Sequence, residues 1–153
     1  MTTLERCQLA KERGYTYCSV SGELKGVRGN VMIAKSVNGY SYVRLTIEGK
    51  GYNILGHRLA WFLYYGTLPT NSIDHIDGNK SNNKIENLRD VTAQENQWNR
   101  TTAKGYVWKK NRNKFESQIS INGKTKFLGS FQTEQEARNS YLKAKEIYHV
   151  INA

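Results

Sequence analysis

Residues 72–99 constrain the fold of this chain more than any other segment. Ser72-Ile73-Asp74-His75 leads into the polar run Ile76-Asp77-Gly78-Asn79-Lys80-Ser81-Asn82-Asn83-Lys84-Ile85-Glu86-Asn87, and Leu88-Arg89-Asp90-Val91-Thr92 follows. The first four residues read as a short strand and 88–91 as a second one. Between them, Asp77, Gly78, Asn79, Asn82 and Asn83 are turn formers, with Gly78 unrestricted in φ. Thr92 with Glu95 three residues later is a capping-box pattern, which places a helix start there. The order is therefore strand, loop, strand, helix.

Asp74-His75 at the end of the first strand is the part of this unit with chemical potential. Neighbouring strand residues point to opposite faces, so a carboxylate and an imidazole can bracket a phosphate lying over the strand end. A carboxylate oxygen suits a hard cation such as Mg²⁺, and a neutral imidazole accepts a proton near pH 7. Phosphodiester hydrolysis needs these two functions and a water. An isolated Asp-His pair says little, and its surroundings decide. The loop lacks a bidentate glutamate at the spacing a calcium loop requires, which argues against that reading.

Residues 16–55 read as short strands and turns, with a hairpin in which 31–34 and 40–47 flank Asn38-Gly39, a pair that tolerates positive φ. Leu59, Ala60, Phe62, Leu63 and Tyr64 fall near helical spacing ahead of Gly66 and Pro69, which predicts a helix over 57–65. Beyond residue 104 a second pattern begins. Residues 106–108, 115–121 and 125–128 read as three strands joined by Asn111-Arg112-Asn113 and Asn122-Gly123. Thr133-Glu134-Gln135-Glu136 then opens a helix with Ala137, Tyr141, Ala144 and Tyr148 on one stripe. The expected boundary lies at 100–104, giving domains 1–100 (strands 16–55, then a core at 57–100) and 104–150.

His57-Arg58-Leu59, Asp74-His75-Ile76-Asp77-Gly78-Asn79, Asn82-Asn83, Glu86-Asn87-Leu88-Arg89, Val91-Thr92 and Glu95-Asn96 together resemble the HNH endonuclease family, in the subgroup common in phage and intron-encoded (homing-type) nucleases. The resemblance covers roughly residues 57–100 and implies a ββα-metal fold. It implies that Asp74 and Asn96 bind one divalent ion, Mg²⁺ or Mn²⁺, that His75 is the general base for water, and that Asn87 holds the loop and orients the histidine. His57 is a supporting residue, and Arg58 is a candidate contact to phosphate. The function so implied is hydrolysis of a phosphodiester bond in duplex DNA, with one active site per chain favouring a nick.

The chain of 153 residues carries a formal charge of +10, which favours a polyanionic partner. The charge is uneven: residues 1–100 hold 13 Lys and Arg against 9 Asp and Glu, residues 101–153 hold 10 against 4. In the C-terminal module strand alternation puts Phe115, Ile119 and Ile121 against the helix and leaves Lys114, Glu116, Gln118 and Ser120 outward. With Lys109, Lys110, Arg112, Lys124 and Lys126 nearby, the sheet suits a major groove, cations on phosphates and Gln118 within reach of a base edge. The alternative is a solvated lysine-rich surface over a core built on Trp108. Gly105-Tyr106-Val107-Trp108, Lys114-Phe115, Ile119, Phe127-Leu128-Gly129-Ser130-Phe131 and Thr133-Glu134-Gln135-Glu136-Ala137 resemble the ethylene-response-factor (APETALA-two) DNA-binding family. Val107 and Thr125 stand where base-reading arginines are expected, which weakens base-specific readout.

The expected fold class is α+β: N-terminal β-hairpins and a ββα-metal unit, then a small three-stranded antiparallel sheet packed on one helix. Cys7 and Cys18 lack the CxxC spacing of a structural zinc site, and two cysteines do not staple a secreted fold. The N-terminus lacks the apolar stretch of a signal peptide, and the most apolar run, 59–65, is too short for a membrane span. The expectation is a cytoplasmic protein, monomeric or weakly dimeric, that binds double-stranded DNA. Two rival readings remain at this point: a non-catalytic DNA-binding protein on the same scaffold, and a nuclease directed at RNA.

Overall fold

A computed structural model describes residues 1–29, 34, 35, 38–100 and 102–151; the expected strand residues 31–33, and Thr101 of the expected boundary, lie outside them. The chain divides into two compact units, Met1–Ala93 and Gln94–Ala153. Both mix helices with small antiparallel sheets, so the fold class is α+β.

The first unit opens with a helix that the sequence reading did not assign. Helix α1 (Thr3–Glu12) is started by Thr2, whose hydroxyl accepts from the Glu5 amide while the Glu5 carboxylate accepts from the Thr2 amide. This capping box satisfies two amides that a helix end otherwise exposes. Strands β1 (Thr16–Tyr17) and β2 (Leu24–Lys25) pair with each other. Strand β3 (Ala34–Lys35) pairs antiparallel with β4 (Ser41–Ile47) across the turn that contains Asn38-Gly39, where Gly39 has φ 82°. A tighter hairpin joins β4 to β5 (Lys50–Leu55) through Glu48 and Gly49, both at positive φ as a two-residue turn of this kind demands.

Ser41, Val43 and Leu45 alternate inward along β4. Val43 and Leu45 join Ile54, Leu59, Ile73 and Leu88 in the core, each buried aliphatic contributing about 1.5–3 kcal/mol. Helix α2 (Gly56–Tyr65) follows β5 directly, buries His57, Leu59, Ala60 and Phe62, and ends at Gly66 in the left-handed conformation. Strands β6 (Ser72–His75) and β7 (Leu88–Val91) pair antiparallel, with Asp74 opposite Arg89 and His75 opposite Leu88. Helix α3 (Ala93–Trp98) begins immediately after Thr92. Strand, loop, strand and helix thus occur in the order read from the sequence.

The second unit holds β8 (Tyr106–Lys109), β9 (Lys114–Ile121) and β10 (Lys124–Phe131), in spatial order β10-β9-β8. Helix α4 (Glu134–Tyr148) starts with a second capping box, Thr133 with Glu136. Ala137, Tyr141 and Ala144 are buried, and Tyr148 packs against the cluster of Ile119, Tyr141 and Ala144. The Tyr141 ring lies over Gly105; a Cβ there would sit 1.9 Å from it, so that position admits only glycine. Trp108 is 44% exposed and rests on Phe115 instead of filling the core.

The division between units falls at Ala93 and Gln94, ahead of the expected boundary at 100–104. Helix α3 and the residues after it are tied to the second sheet and its helix. Gln94 donates to Asn122 at 3.3 Å, Trp98 stacks on His149 at 4.7 Å and 5°, and Lys145 donates to the Arg100 carbonyl.

Candidate active site

His75 is 4% and Asp74 7% exposed, so both groups singled out by the sequence are held inside the first unit at the end of β6. Across the ladder, Arg89 reaches Asp74: Nε and a terminal guanidinium nitrogen both donate to Oδ2, at 3.0 and 2.8 Å. Both partners of this ion pair are largely buried. Arg89 thus sets a guanidinium charge, with two hydrogen bonds, against a carboxylate that is largely withdrawn from water. Sequence reasoning assigned Arg89 no role; its place directly opposite Asp74 in a hairpin was the available signal.

The loop between the strands is built from side-chain amides and carboxylates bound to one another. Asp77 Oδ1 accepts from the Asn79 amide at 2.8 Å and from Asn87 Nδ2 at 2.9 Å, and Oδ2 accepts from Asn82 Nδ2 at 2.8 Å. These bonds, led by that from Asn82, hold the Asp77 carboxyl below its ordinary range. Asn87 completes the knot: its Oδ1 accepts from the Asp77 amide, its Nδ2 also donates to the Asn82 carbonyl, and its own carbonyl accepts from the Ile76 amide. Asn79 Oδ1 and Asn82 Oδ1 accept from the amides of Ser81 and Lys84. Asp77, Asn79, Asn82 and Asn87 therefore spend their oxygens inside the loop, which accounts for the Gly/Asn-rich sequence without a calcium ion.

Asn83 touches the His75 ring. Its Oδ1 lies 3.3 Å from His75 Nε2, and its Nδ2 donates to Ser41 Oγ at 2.8 Å. Asn83 is 1% exposed, although the sequence suggested only a turn former there. Two rings close the other side of the site: His57 stands edge-on to His75 at 5.2 Å, and Tyr40 lies 5.2 Å from His57 and 6.0 Å from His75. Lys80 sits over Tyr40 and donates to the Asn38 carbonyl, while Ser81 donates to the Gly39 carbonyl, so the loop is fastened to the turn before β4.

Burial pushes His75 below the ordinary imidazole value, against the raising effects of Asn83, Asp77 and Asp74. The ring is therefore neutral at pH 7 and able to accept a proton. Burial, then the charges of His75 and Arg58, pushes His57 down to about 3. Its Nδ1 and the Nε of half-buried Arg58 are buried with no hydrogen-bond partner among the described residues. Arg58 and His57 both lie in the first turn of α2, as the motif implied.

Asn96 lies on α3, half-buried, in the second unit. Among the described residues no three His, Cys, Asp or Glu side chains gather to hold a metal. A single carboxylate is the sparse hard donor set that suits Mg²⁺, which keeps most of its water and takes further oxygens from substrate phosphate, and it does not suit structural zinc.

In the second unit, the register sorts the cations proposed to meet DNA. Val107, Lys109, Lys114, Glu116, Gln118, Thr125 and Phe127 share the face of the sheet away from α4. Lys110 and Arg112 lie in the turn between β8 and β9, where Arg112 is ion-paired to Glu116 at 2.9 Å. Lys126 and Lys124 fall opposite Ile119 and Ile121, on the helix side, and Lys126 donates to the Tyr148 hydroxyl at 2.5 Å with its ammonium over that ring. These two lysines thus leave the open face on which the other cations stand.

Residues 55–98 match the family model described as HNH endonuclease. An uncharacterized HNH endonuclease of Acanthamoeba polyphaga mimivirus is 36% identical over 97 residues, which is 60% of this chain and 52% of that protein. Protein 3.8 of Escherichia phage T7 is 36% identical over 76 residues, 44% of this chain and 63% of the other. A putative HNH homing endonuclease derived from the SPbeta prophage of Bacillus subtilis (strain 168) is 41% identical over 61 residues, 39% of this chain and 35% of the other. The chain spans about half the length of the curated relatives it matches. A solved structure of the HNH homing endonuclease I-HmuI, described as binding and cleaving DNA, aligns with a TM-score of 0.49 and 29% identity over 77% of this chain and 74% of that one. No helix among the described residues is long and apolar enough to cross a membrane.

Proposed function

We propose that this protein is a metal-dependent endonuclease that hydrolyses a phosphodiester bond of duplex DNA and nicks one strand. The observation that carries the reading is the pairing at the end of β6 of a neutral, buried imidazole with a buried carboxylate that Arg89 pairs. His75 removes a proton from the attacking water, whose oxygen forms a bond to phosphorus as the bond to the 3′-oxygen breaks. A 5′-phosphate is left, and the proton resides on the imidazolium until solvent takes it. By the resemblance, Asp74 and Asn96 would hold a Mg²⁺ or Mn²⁺ ion, which when bound would supply positive charge for the phosphate and the leaving oxygen. Asn87 keeps the loop, and with it the strand end, in one shape. His57 packs against the His75 ring, and Arg58 contacts phosphate.

The second unit is, on this reading, the element that positions DNA, a sheet of the ethylene-response-factor type in which Lys109, Lys110 and Lys114 meet phosphates and Gln118 meets a base edge. The homing character named for the prophage relative, and the phage and viral setting of the others, make a mobile-element or phage nuclease the setting to test first. The deciding experiment incubates supercoiled plasmid with the protein in Mg²⁺ and in chelator. Relaxed circles in Mg²⁺ alone are the expected result; intact plasmid in both, with DNA bound, assigns the chain to a non-catalytic binding protein. Cleavage of RNA in preference to DNA would redirect the substrate.

A further inference from the structure

The contacts around Asn83 lie outside the residues to which the HNH motif gives a role. We propose that Asn83, braced by Ser41, is a positioning residue that fixes the tautomer of His75, with the proton on Nε2 and the lone pair on Nδ1. The proposal rests on His75 being the base of the nuclease reading. An amide oxygen only accepts, so the ring nitrogen 3.3 Å from Asn83 Oδ1 carries the hydrogen. Asn83 Nδ2 donates to Ser41 Oγ at 2.8 Å, which turns Oδ1 toward the ring, and both residues are buried.

The same segment is approached from three further places. The Tyr17 hydroxyl of β1 donates to the Asn83 carbonyl at 2.7 Å. Gly22 presses on this segment so closely that a Cβ would stand 2.7 Å from the Lys84 nitrogen and 3.0 Å from the Asn83 carbonyl carbon. Gly56, the first residue of α2, leaves room for the pair itself: a Cβ there would stand 2.4 Å from Ser41 Oγ and 3.0 Å from Asn83 Nδ2. A turn former alone would not require β1, β4, α2 and a glycine approach to converge on it. Which nitrogen of a histidine acts is set by the hydrogen bond the other one makes, and the wrong tautomer disables a base that is otherwise in place.

The test reads the tautomer directly. The full chain has three histidines, so ¹⁵N chemical shifts of their ring nitrogens, assigned with His149→Gln, identify the protonated nitrogen of His75 at neutral pH. The expected signature is Nε2–H in the wild type, a mixture in Asn83→Ala and in Ser41→Ala, and recovery of Nε2–H in Asn83→Asp, which keeps an acceptor. In plasmid nicking, Asn83→Ala should lower kcat about 10–10²-fold with KM little changed. If Asn83→Ala does not fold, Ser41→Ala and Asn83→Asp carry the decision. A wild-type Nδ1–H tautomer, or a tautomer unchanged in Ser41→Ala and in folded Asn83→Ala, overturns the proposal while leaving the nuclease reading standing. A tautomer that shifts as expected in a protein that never nicks DNA overturns the nuclease reading and leaves the positioning role.

Discussion

The two units use polar residues in opposite ways. In the loop between β6 and β7, Asp77, Asn79, Asn82, Asn83 and Asn87 bind one another, the backbone and His75, and the charged pair Asp74–Arg89 is buried. In the second unit the polar side chains of Lys109, Gln118 and Thr125 stand exposed on a sheet face whose apolar support lies behind it. A catalytic group needs one fixed geometry and a controlled protonation state, which only internal bonding and burial provide. A surface that follows a phosphate backbone needs charge that remains hydrated and adjustable until DNA arrives. On the proposed function, polar groups whose bonds are completed inside the fold mark the reaction centre, and those left to solvent mark the binding face.

The largest effect that this contrast predicts is on turnover. His75→Ala should lower the nicking rate by about 10²–10⁴, the usual loss for a general base, with DNA affinity nearly unchanged. Asp74→Ala should abolish metal-dependent cleavage, measured under single-turnover conditions with saturating protein. Full nicking by both variants would move the reaction centre away from β6.

A smaller loss is expected at a position far less conspicuous in sequence. Gly56→Ala drives a methyl group into Ser41 Oγ and Asn83 Nδ2, so the fold should lose about 1–3 kcal/mol in urea denaturation, with nicking reduced as well. Gly123→Ala, in open space, is the control for glycine loss in the second unit, although its positive φ adds strain of its own. Equal damage to nicking from both substitutions would show that crowding at the site is not the cause.

Burial of His57 gives the first unit an acid sensitivity with a defined sign. In the unfolded chain this ring takes a proton near pH 6.5, whereas in the fold it stays neutral down to about 3. Between those values the unfolded state binds more protons, so stability falls as pH falls, by about 1.4 kcal/mol per unit for this one group. Above pH 6.5 neither state is protonated and the dependence vanishes. Stability measured at pH 7 and pH 5 should therefore differ by about 2 kcal/mol from His57, and the buried His75 adds to the difference in the same direction. His57→Phe should flatten the profile over this interval. An unchanged slope would mean that His57 is solvated.

Much of this arrangement was legible beforehand because it depends on local signals. Asn38-Gly39, the helix over 57–65, the strand pair around the loop and the three strands and helix after residue 104 follow from turn chemistry and periodicity, and Asp74-His75 from motif spacing. Asn83 and Ser41 were not legible as partners: they are 42 positions apart and meet only when β4 pairs and α2 docks. Arg89 was hidden in the same way, since its value depends on the register of β6 and β7. Helix α1 had a readable signal, Thr2 and Glu5, but its weak apolar periodicity gave no prompt to look for it. The division of contacts at Ala93 and Gln94 was not legible, because Trp98 and Gln94, read as the end of one helix, find their partners in His149 and Asn122.

The smallest effect separates lysines within the second unit. Lys114 shares the open face with Gln118, and Lys126 lies on the helix side against Tyr148. If the open face tracks phosphates, Lys114→Ala should reduce the slope of log affinity against log salt by about 1, and Lys109→Ala, its cross-strand partner, should do the same. Lys126→Ala should leave that slope alone, because its ammonium is already engaged. Its cost should appear in stability, at about 0.5–1 kcal/mol for a cation resting on an exposed ring. Arg112 is intermediate: its ion pair with Glu116 must open before it can meet a phosphate, so Arg112→Ala should change the slope less than Lys114→Ala. Equal slopes for the wild type and the Lys109 and Lys114 variants would show that the open face is not the DNA contact. A slope lost in Lys126→Ala instead would transfer that role to the helix side of the sheet.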